Sequence, residues 1–320
     1  MTPAPARPAT IWAALVSVYI VWGSTYLAIR VVVEADIPPL LGMGVRFLTA
    51  GALVAGFLFL RGGTGALRVS RRSLRGTLVM GTLLLFLGNG VVAIAEQTVP
   101  SGLAALIVGA VPLWFVLFRV GGGDRPGWLT WTGVLVGFAG VAAISLPGGG
   151  IDGVELWGVG LILFATLSWA IGSYLSPRLS LPAHPLVAVT YEMLAGGAIM
   201  TLVSLVSGEA ARLDVSAVPV KGWIALAYLV LFGSILGYTA YGYALAHAPL
   251  SLVGTYAYVN PVVAVFLGWA ILAEPITTIV VTGGALVVAG VALVVTGERT
   301  ASKRVDKVGD TALDPQSEMV

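Results

Sequence analysis

The sequence predicts an all-helical integral membrane protein of ten transmembrane helices, built from two inverted five-helix repeats. Three observations predict it: a composition 58% hydrophobic and 10% charged over 320 residues, ten separate apolar runs, and an internal duplication at a nearly constant offset. A chain this apolar cannot hide its side chains inside one aqueous globule. Crossing a hydrocarbon layer of about 30 Å takes roughly 20 apolar residues as a helix, whereas barrel strands alternate over tracts of about ten. Long continuous runs therefore select helices, whose backbone hydrogen bonds close within each segment.

The runs lie near 11–32, 39–60, 75–96, 102–119, 128–146, 156–176, 185–207, 222–245, 251–272 and 276–297. The first follows a short N-terminus, 1–10, with Arg7 as its one basic residue, and is longer than a signal-peptide core, so it reads as a retained span. Trp12, Trp128 and Trp157 sit near predicted span ends and suit an interfacial aromatic belt. In the fifth and tenth runs, Gly133, Gly137 and Gly140 and their counterparts Gly283, Gly284 and Gly290 permit close helix contact, either between the halves or in a homodimer. The segment 298–320 is polar, charged and aperiodic and is expected to form a disordered tail. The chain has no cysteine, which excludes disulfides and thiolate metal sites.

Charge sets the orientation. Arg7, Arg61, Arg68, Arg71, Arg72, Arg75, Arg119, Arg125, Arg178, Arg299, Lys303, Arg304 and Lys307 fall on one side, thirteen of the seventeen basic residues. The other side carries Arg212 and Lys221 with seven acidic loop residues, so both termini are expected in the cytoplasm. The basic run Arg68 to Arg75 lies beside two spans and reads as a topology signal, not a nucleic-acid patch.

The duplication is legible residue by residue. "LGNGVVAIAEQTVPSGLAALIVGAVPL", from Leu87, meets "LGYTAYGYALAHAPLSLVGTYAYVNPV", from Leu236, at an offset of 149, matching Gly88 with Gly237, Pro100 with Pro249 and Pro112 with Pro261. Small shifts extend it, pairing Asp124 with Glu274 and Arg46 with Glu192, so that 11–146 and 156–297 form the two repeats. Five spans per repeat force the second copy to enter the membrane from the opposite side. Inverted repeats are the architecture of many transporters, with the substrate site between the halves. No P-loop lysine, HExxH or GxSxG motif is present, so neither ATP-driven transport by this chain alone nor enzymatic chemistry is expected, and no cofactor is implied.

The "WGSTYLAIR" of the first span, Arg46 with Phe47, "AEQTVPSGLAALIVGAVPLW" and "YAYVNPVVAVFLGWAILAEPIT" resemble the EamA type of the drug/metabolite transporter superfamily, above all its YedA-like branch, over residues 10–297. The resemblance implies ten helices, cytoplasmic termini, a bacterial-type inner membrane, and secondary transport, commonly export of amino acids or other small metabolites. It supplies no substrate and no agreed functional residues.

Candidate site residues therefore come from depth and spacing. Arg46 lies about seven residues into the second span, some 10 Å deep at about 1.5 Å per residue, and a cation there needs water or an anion. Three readings stay open for it: a pair with Glu96 at the outer end of the third span, direct contact with a substrate carboxylate, or interfacial placement. Glu192 is its counterpart near the cytoplasmic end of the seventh span and has no obvious cation, which makes it a candidate proton carrier, a site for an amine, or a protonated structural carboxyl. Trp22 and Tyr26 follow Tyr19 on one helical face, Ser234, Tyr238 and Tyr241 share another, and Tyr256 and Asn260 a third. With Trp169, and with Asn89 and Glu96, which share a face seven residues apart, they are expected to line a mixed aromatic and polar pocket for a small zwitterion or amphipathic molecule, or else to serve helix packing. Pro112 and Pro261, at equivalent places, mark helix bends or gates. The reading is a permease for a small organic solute working by alternating access, with a proton as an optional co-substrate; the alternative is a non-catalytic sensor or passive facilitator.

Overall fold

Residues 8–123, 125–145, 155–248, 253 and 255–312 are described by a computed structural model; Arg7, Asp124, Asp152 and Pro249 lie outside them. The described residues form ten long helical segments, three short 3-10 turns at Gly63–Leu67, Ser176–Arg178 and Ala210–Arg212, and no strand. The long segments are α1 (Pro8–Glu34), α2 (Pro39–Gly62), α3 (Arg71–Ala95), α4 (Ser101–Val108 and Val111–Gly121), α5 (Trp128–Ser145), α6 (Leu156–Leu175), α7 (Pro185–Val206), α8 (220–247), α9 (Tyr256–Leu272) and α10 (Thr278–Ala312). Eight are long and apolar enough to cross a membrane, and Trp128–Ile144 and Val259–Leu272 supply two shorter apolar helices. Apolar side chains face outward at many positions, among them Leu60 at 85% and Val206 at 81% exposure. A lipid solvent accepts this surface, whereas water would not.

The packing follows the duplication. Helix α2 lies on α7, α4 on α9 and α5 on α10, so like helices of the two repeats meet each other. Helix α1 packs on α8 and α9 of the second repeat, and α6 in turn on α3 and α4 of the first. The buried apolar residues form two main clusters. One gathers Met43, Phe47, Met193 and Leu229 around α2, α7 and α8; the other gathers Ile107, Leu113, Ile162 and Val287 around α4, α6 and α10.

The glycine-rich faces of α5 and α10 meet directly. A Cβ on Gly290 would sit 2.4 Å from the amide nitrogen of Gly137 and 2.7 Å from the Gly133 carbonyl, so the two backbones touch as small-residue interfaces in lipid allow. The glycines thus pack the halves of one chain together, the first of the two uses that spacing left open.

Helix α4 breaks at Gly109 and Ala110, just ahead of Pro112, which has no N–H to return to the carbonyl of Val108. Pro261, by contrast, stays inside α9. The two features touch: a Cβ on Gly109 would lie 2.9 Å from Cγ of Pro261, which places the bend of α4 against the proline of α9.

Helix α10 overruns the boundary expected at 297 and continues to Ala312. No proline interrupts 298–312, and prolonging an existing helix avoids the cost of nucleating one. The rest of the expected tail, 313–320, lies outside the described residues.

Two carboxylates tie the repeats together at one end of the bundle. In the α9–α10 turn, Ala273 adopts a left-handed φ of 54° and Glu274 folds back onto the start of α4. There its two oxygens accept from the amides of Ser101 at 2.7 Å and Gly102 at 3.0 Å. Similarly Glu209, after α7, accepts from the amide of Leu40 at the start of α2 at 3.0 Å. Both acceptors serve N–H groups that lack helical partners and meet the positive end of a helix dipole. Glu274→Ala is expected to cost about 1–2 kcal/mol, as lost N-caps do, read as a melting temperature in detergent lowered by a few degrees.

Candidate functional site

The centre of the molecule is organised by two matched departures from regular helix. In α3, residues Gly81–Gly90 are wound as π-helix, and in α8 so are Leu229–Leu236, which the offset of 149 maps onto 80–87. A π-helical stretch bonds to the fifth residue on, frees carbonyl groups and is common at functional sites. Here the carbonyls are taken by the neighbouring helix of the other repeat. Trp22 Nε1 on α1 donates to the Gly233 carbonyl at 3.3 Å, and Ser168 Oγ on α6 donates to the Leu83 carbonyl at 3.0 Å. The indoles follow the same symmetry. Trp22 lies over Gly237, where a Cβ would come within 2.4 Å of Nε1, and Trp169 lies over Gly88, where a Cβ would come within 3.0 Å of Cε3.

The two halves differ in what surrounds these tryptophans. Around Trp22 stand Tyr238, Tyr241 and Tyr256, with ring centroids 5.3, 4.9 and 5.6 Å away, and Tyr241 and Tyr256 are 5.8 Å apart. These are edge-on and tilted contacts of the kind aromatic quadrupoles favour. All four rings are half-buried. Subtracting 149, the counterparts of the three tyrosines are Asn89, Val92 and Ile107. The aromatic box around Trp22 therefore has no counterpart around Trp169. Trp169 and Asn89, placed in the same pocket by sequence reasoning, lie instead at the π-helix of α3, where Trp169 covers Gly88; among the described residues Asn89 makes no hydrogen bond and Trp169 no ring contact.

Asn260, 7% exposed, anchors the box from below: in the orientation that satisfies both ends of its amide, it donates to the carbonyls of Tyr19 and Tyr256 at 3.2 Å each. Tyr19 and Thr255 join hydroxyl to hydroxyl, and Ser24 meets the Tyr228 hydroxyl at 2.6 Å. Polar side chains within these spans thus find partners on other helices, as a hydrocarbon surround requires.

Arg46 is 2% exposed. Its Nε donates to Ser234 Oγ, in the π-helix of α8, at 3.0 Å, its Nη1 approaches Met43 Sδ at 3.6 Å, and its Cζ lies 4.5 Å from the centre of the Phe47 ring. Nη2 reaches over Gly233, where a Cβ would stand 3.2 Å away. Arginine and tryptophan thus both reach Gly233, and the arginine also its neighbour Ser234. A guanidinium carries five N–H donors, and among the described residues two are used.

The pair between Arg46 and Glu96, one of the readings open in the sequence, does not form. The one ion pair among the described residues is Arg30 with Glu34, at 2.7 Å. Arg46 is drawn to the π-helix of α8, where a missing side chain leaves room, while Glu96 closes α3 beside α1. There Arg30 Nη1 donates to the main-chain carbonyl of Glu96. Arg30 stood in the sequence only as the end of a family-like stretch; its spacing of four from Glu34 was the signal that could have drawn notice.

Glu192, on α7, is half-buried and has no hydrogen-bond partner among the described residues. Its main chain packs on the π-helix of α3, where a Cβ on Gly81 would lie 2.6 Å from its carbonyl. Tyr238 stands within coulombic range of both Arg46 and Glu192, and Tyr26 within range of both Tyr256 and Glu96. Polar and aromatic groups thus run in a file from Glu96 through Tyr26 and the aromatic box to Arg46 and Glu192. In this state the file is shut, since the box rings touch one another. A cleft of about 440 Å³ lies between α4, α5 and α6 and is lined by apolar residues including Trp114, Phe138 and Phe164.

Paired like helices, matched π-helical segments and a buried cation between the halves define a membrane transporter of the inverted-repeat class. The chain belongs to the EamA-like transporter family, which it matches over residues 8–146 and 156–296. It is 41% identical over 290 residues to a protein of Escherichia coli strain K12 named "Uncharacterized inner membrane transporter YedA", covering 90% of this chain and 91% of that one. At 28% identity over 306 residues, 92% and 95% of the two chains, it is similar to the "Probable terminal-alkyne amino-acid exporter" of Streptantibioticus cattleyicolor. A crystal structure 21% identical in sequence shares the fold, with a TM-score of 0.62 over 92% of this chain and 99% of the other. The protein is a membrane transporter of small solutes.

Proposed function

We propose that this protein is a secondary transporter that exports a small zwitterionic or amphipathic organic solute, an amino acid or a close relative, by alternating access. The observation that carries the reading is the buried Arg46 guanidinium, with donors to spare, set beside the Trp22, Tyr238, Tyr241 and Tyr256 box. A carboxylate takes parallel N–H bonds from arginine, and aromatic faces hold apolar or cationic groups. The solute would part the rings that now touch. Export is supported by the exporter among the similar proteins, and cytoplasmic termini by the thirteen basic residues on one side.

The test is counterflow in proteoliposomes loaded with a panel of neutral aliphatic and aromatic L-amino acids. The reading expects saturable uptake of at least one labelled member that is accelerated by the same compound on the far side. Non-saturable flux without acceleration would make the protein a passive facilitator. Thermal stabilisation by a compound that is never moved would make it a sensor.

A further inference from the structure

Glu96 is the one acidic side chain among the described residues that is fully buried, at 0% exposure, with neither carboxyl oxygen in a hydrogen bond. Neither nearby arginine is bonded to its carboxyl group. Arg30 is turned to the Glu34 carboxylate and to the main-chain carbonyl of Glu96, and Arg46 to Ser234. Glu274 gives both oxygens to the amides of Ser101 and Gly102. The charged or titratable groups facing Glu96 are therefore Arg30, Glu34 and Tyr26 from α1, Arg46 from α2 and Glu274 from the α9–α10 turn. An ionised carboxylate left without a partner in such a place costs several kcal/mol, whereas the neutral acid is tolerated.

Its position gives that chemistry a use. Glu96 lies five residues before Ser101, where Glu274 latches the second repeat onto the start of α4, and Ser101 Oγ is likewise buried without a partner. Parting this latch admits water to both groups. We infer that Glu96 is a proton-binding site: it holds a proton while this end of the transporter is closed and gives it to water when the end opens. The O–H bond breaks toward solvent, and the carboxylate left behind is met by Arg30, whose bond to Glu34 is solvent-exposed and readily exchanged. Glu192, the carboxyl that depth alone singled out for this role, is half-buried here, with part of its side chain already open to its surroundings. Because the closed form binds the proton more tightly, acid stabilises the closed end and alkali favours opening. The inference rests on the transporter reading and adds the proton as the co-substrate of the same path.

A substrate-free test is available because the chain has no cysteine. Ser101→Cys then carries a single buried thiol, to be labelled by a membrane-impermeant maleimide in proteoliposomes. Rates are divided by those of Ser216→Cys, at an exposed position, to remove the thiol's own ionisation. The normalised rate is expected to rise about tenfold between about pH 5.5 and about pH 8.5. Glu96→Gln should hold it at the slow value throughout, Glu96→Asp should keep a rise with a displaced midpoint, and Glu192→Gln should keep the original profile. A rise that survives in Glu96→Gln, a flat profile in Glu96→Asp, or a flat profile in the parent overturns the inference. A preserved response without solute flux would strike the transport reading alone, and flux without a Glu96-dependent response would strike this inference alone.

Discussion

Arg46→Ala lowers saturable solute exchange by about two orders of magnitude while the protein still inserts and purifies as a folded species. The size follows from removing a charge-assisted, two-pronged contact in a site shielded from water, about 3 kcal/mol, at about 1.4 kcal/mol per tenfold change. Folding should survive, because the guanidinium is held within the protein by Ser234 Oγ, a sulfur contact and the Phe47 ring, and by no carboxylate whose loss would strand a buried charge. Arg46→Lys keeps the charge without the fork and is expected to recover part of the exchange, within about tenfold of the parent. Ser234→Ala removes one of the supports and should leave most of the activity. Counterflow at saturating and sub-saturating solute separates these outcomes. Normal exchange by the alanine variant would take Arg46 out of the solute path and leave it as a packing cation.

Gly290→Val is expected to abolish the folded protein, read as loss of a monodisperse peak in detergent and of any cooperative melting transition. The new Cβ would lie 2.4 Å from the Gly137 nitrogen, 2.5 Å from its Cα and 2.7 Å from the Gly133 carbonyl. All three are backbone atoms of α5, so no rotamer change relieves the clash and α5 and α10 must separate. Overpacking of this kind costs about 1–3 kcal/mol where side chains can yield and more where they cannot. Gly160→Val on α6 is the control, since nothing lies within 4 Å of its Cβ position. If Gly290→Val folds with a melting temperature near that of the parent, the α5–α10 contact is not what holds the halves together.

Much of the site could be read in advance because helical periodicity assigns residues to faces. Trp22, Tyr238, Tyr241 and Tyr256 were each singled out by spacing along their own helices, and the structure brings the four rings together. Trp169 and Asn89 were grouped with them by depth and symmetry, yet they stand at the π-helix of α3 and not at that of α8, because an inverted repeat places equivalent residues on opposite sides of its axis. The Glu274 latch was not legible: a carboxylate in a turn shows nothing in sequence of the helix start, 172 and 173 residues away, that it serves.

By itself the sequence determined the solvent, the number of helices, the duplication and the inversion that five spans per repeat impose, since these depend on apolar content, run length and parity, which are properties of the chain read locally. Only the tertiary structure decided that Arg46 bonds Ser234 and leaves Glu96 alone, that Arg30 turns to the Glu96 main chain, and that α3 and α8 are rewound as π-helix at matching places. A buried polar group takes whichever partner the neighbouring helix presents. Which helices become neighbours is settled by the packing of the two halves, and no stretch of sequence carries that information alone.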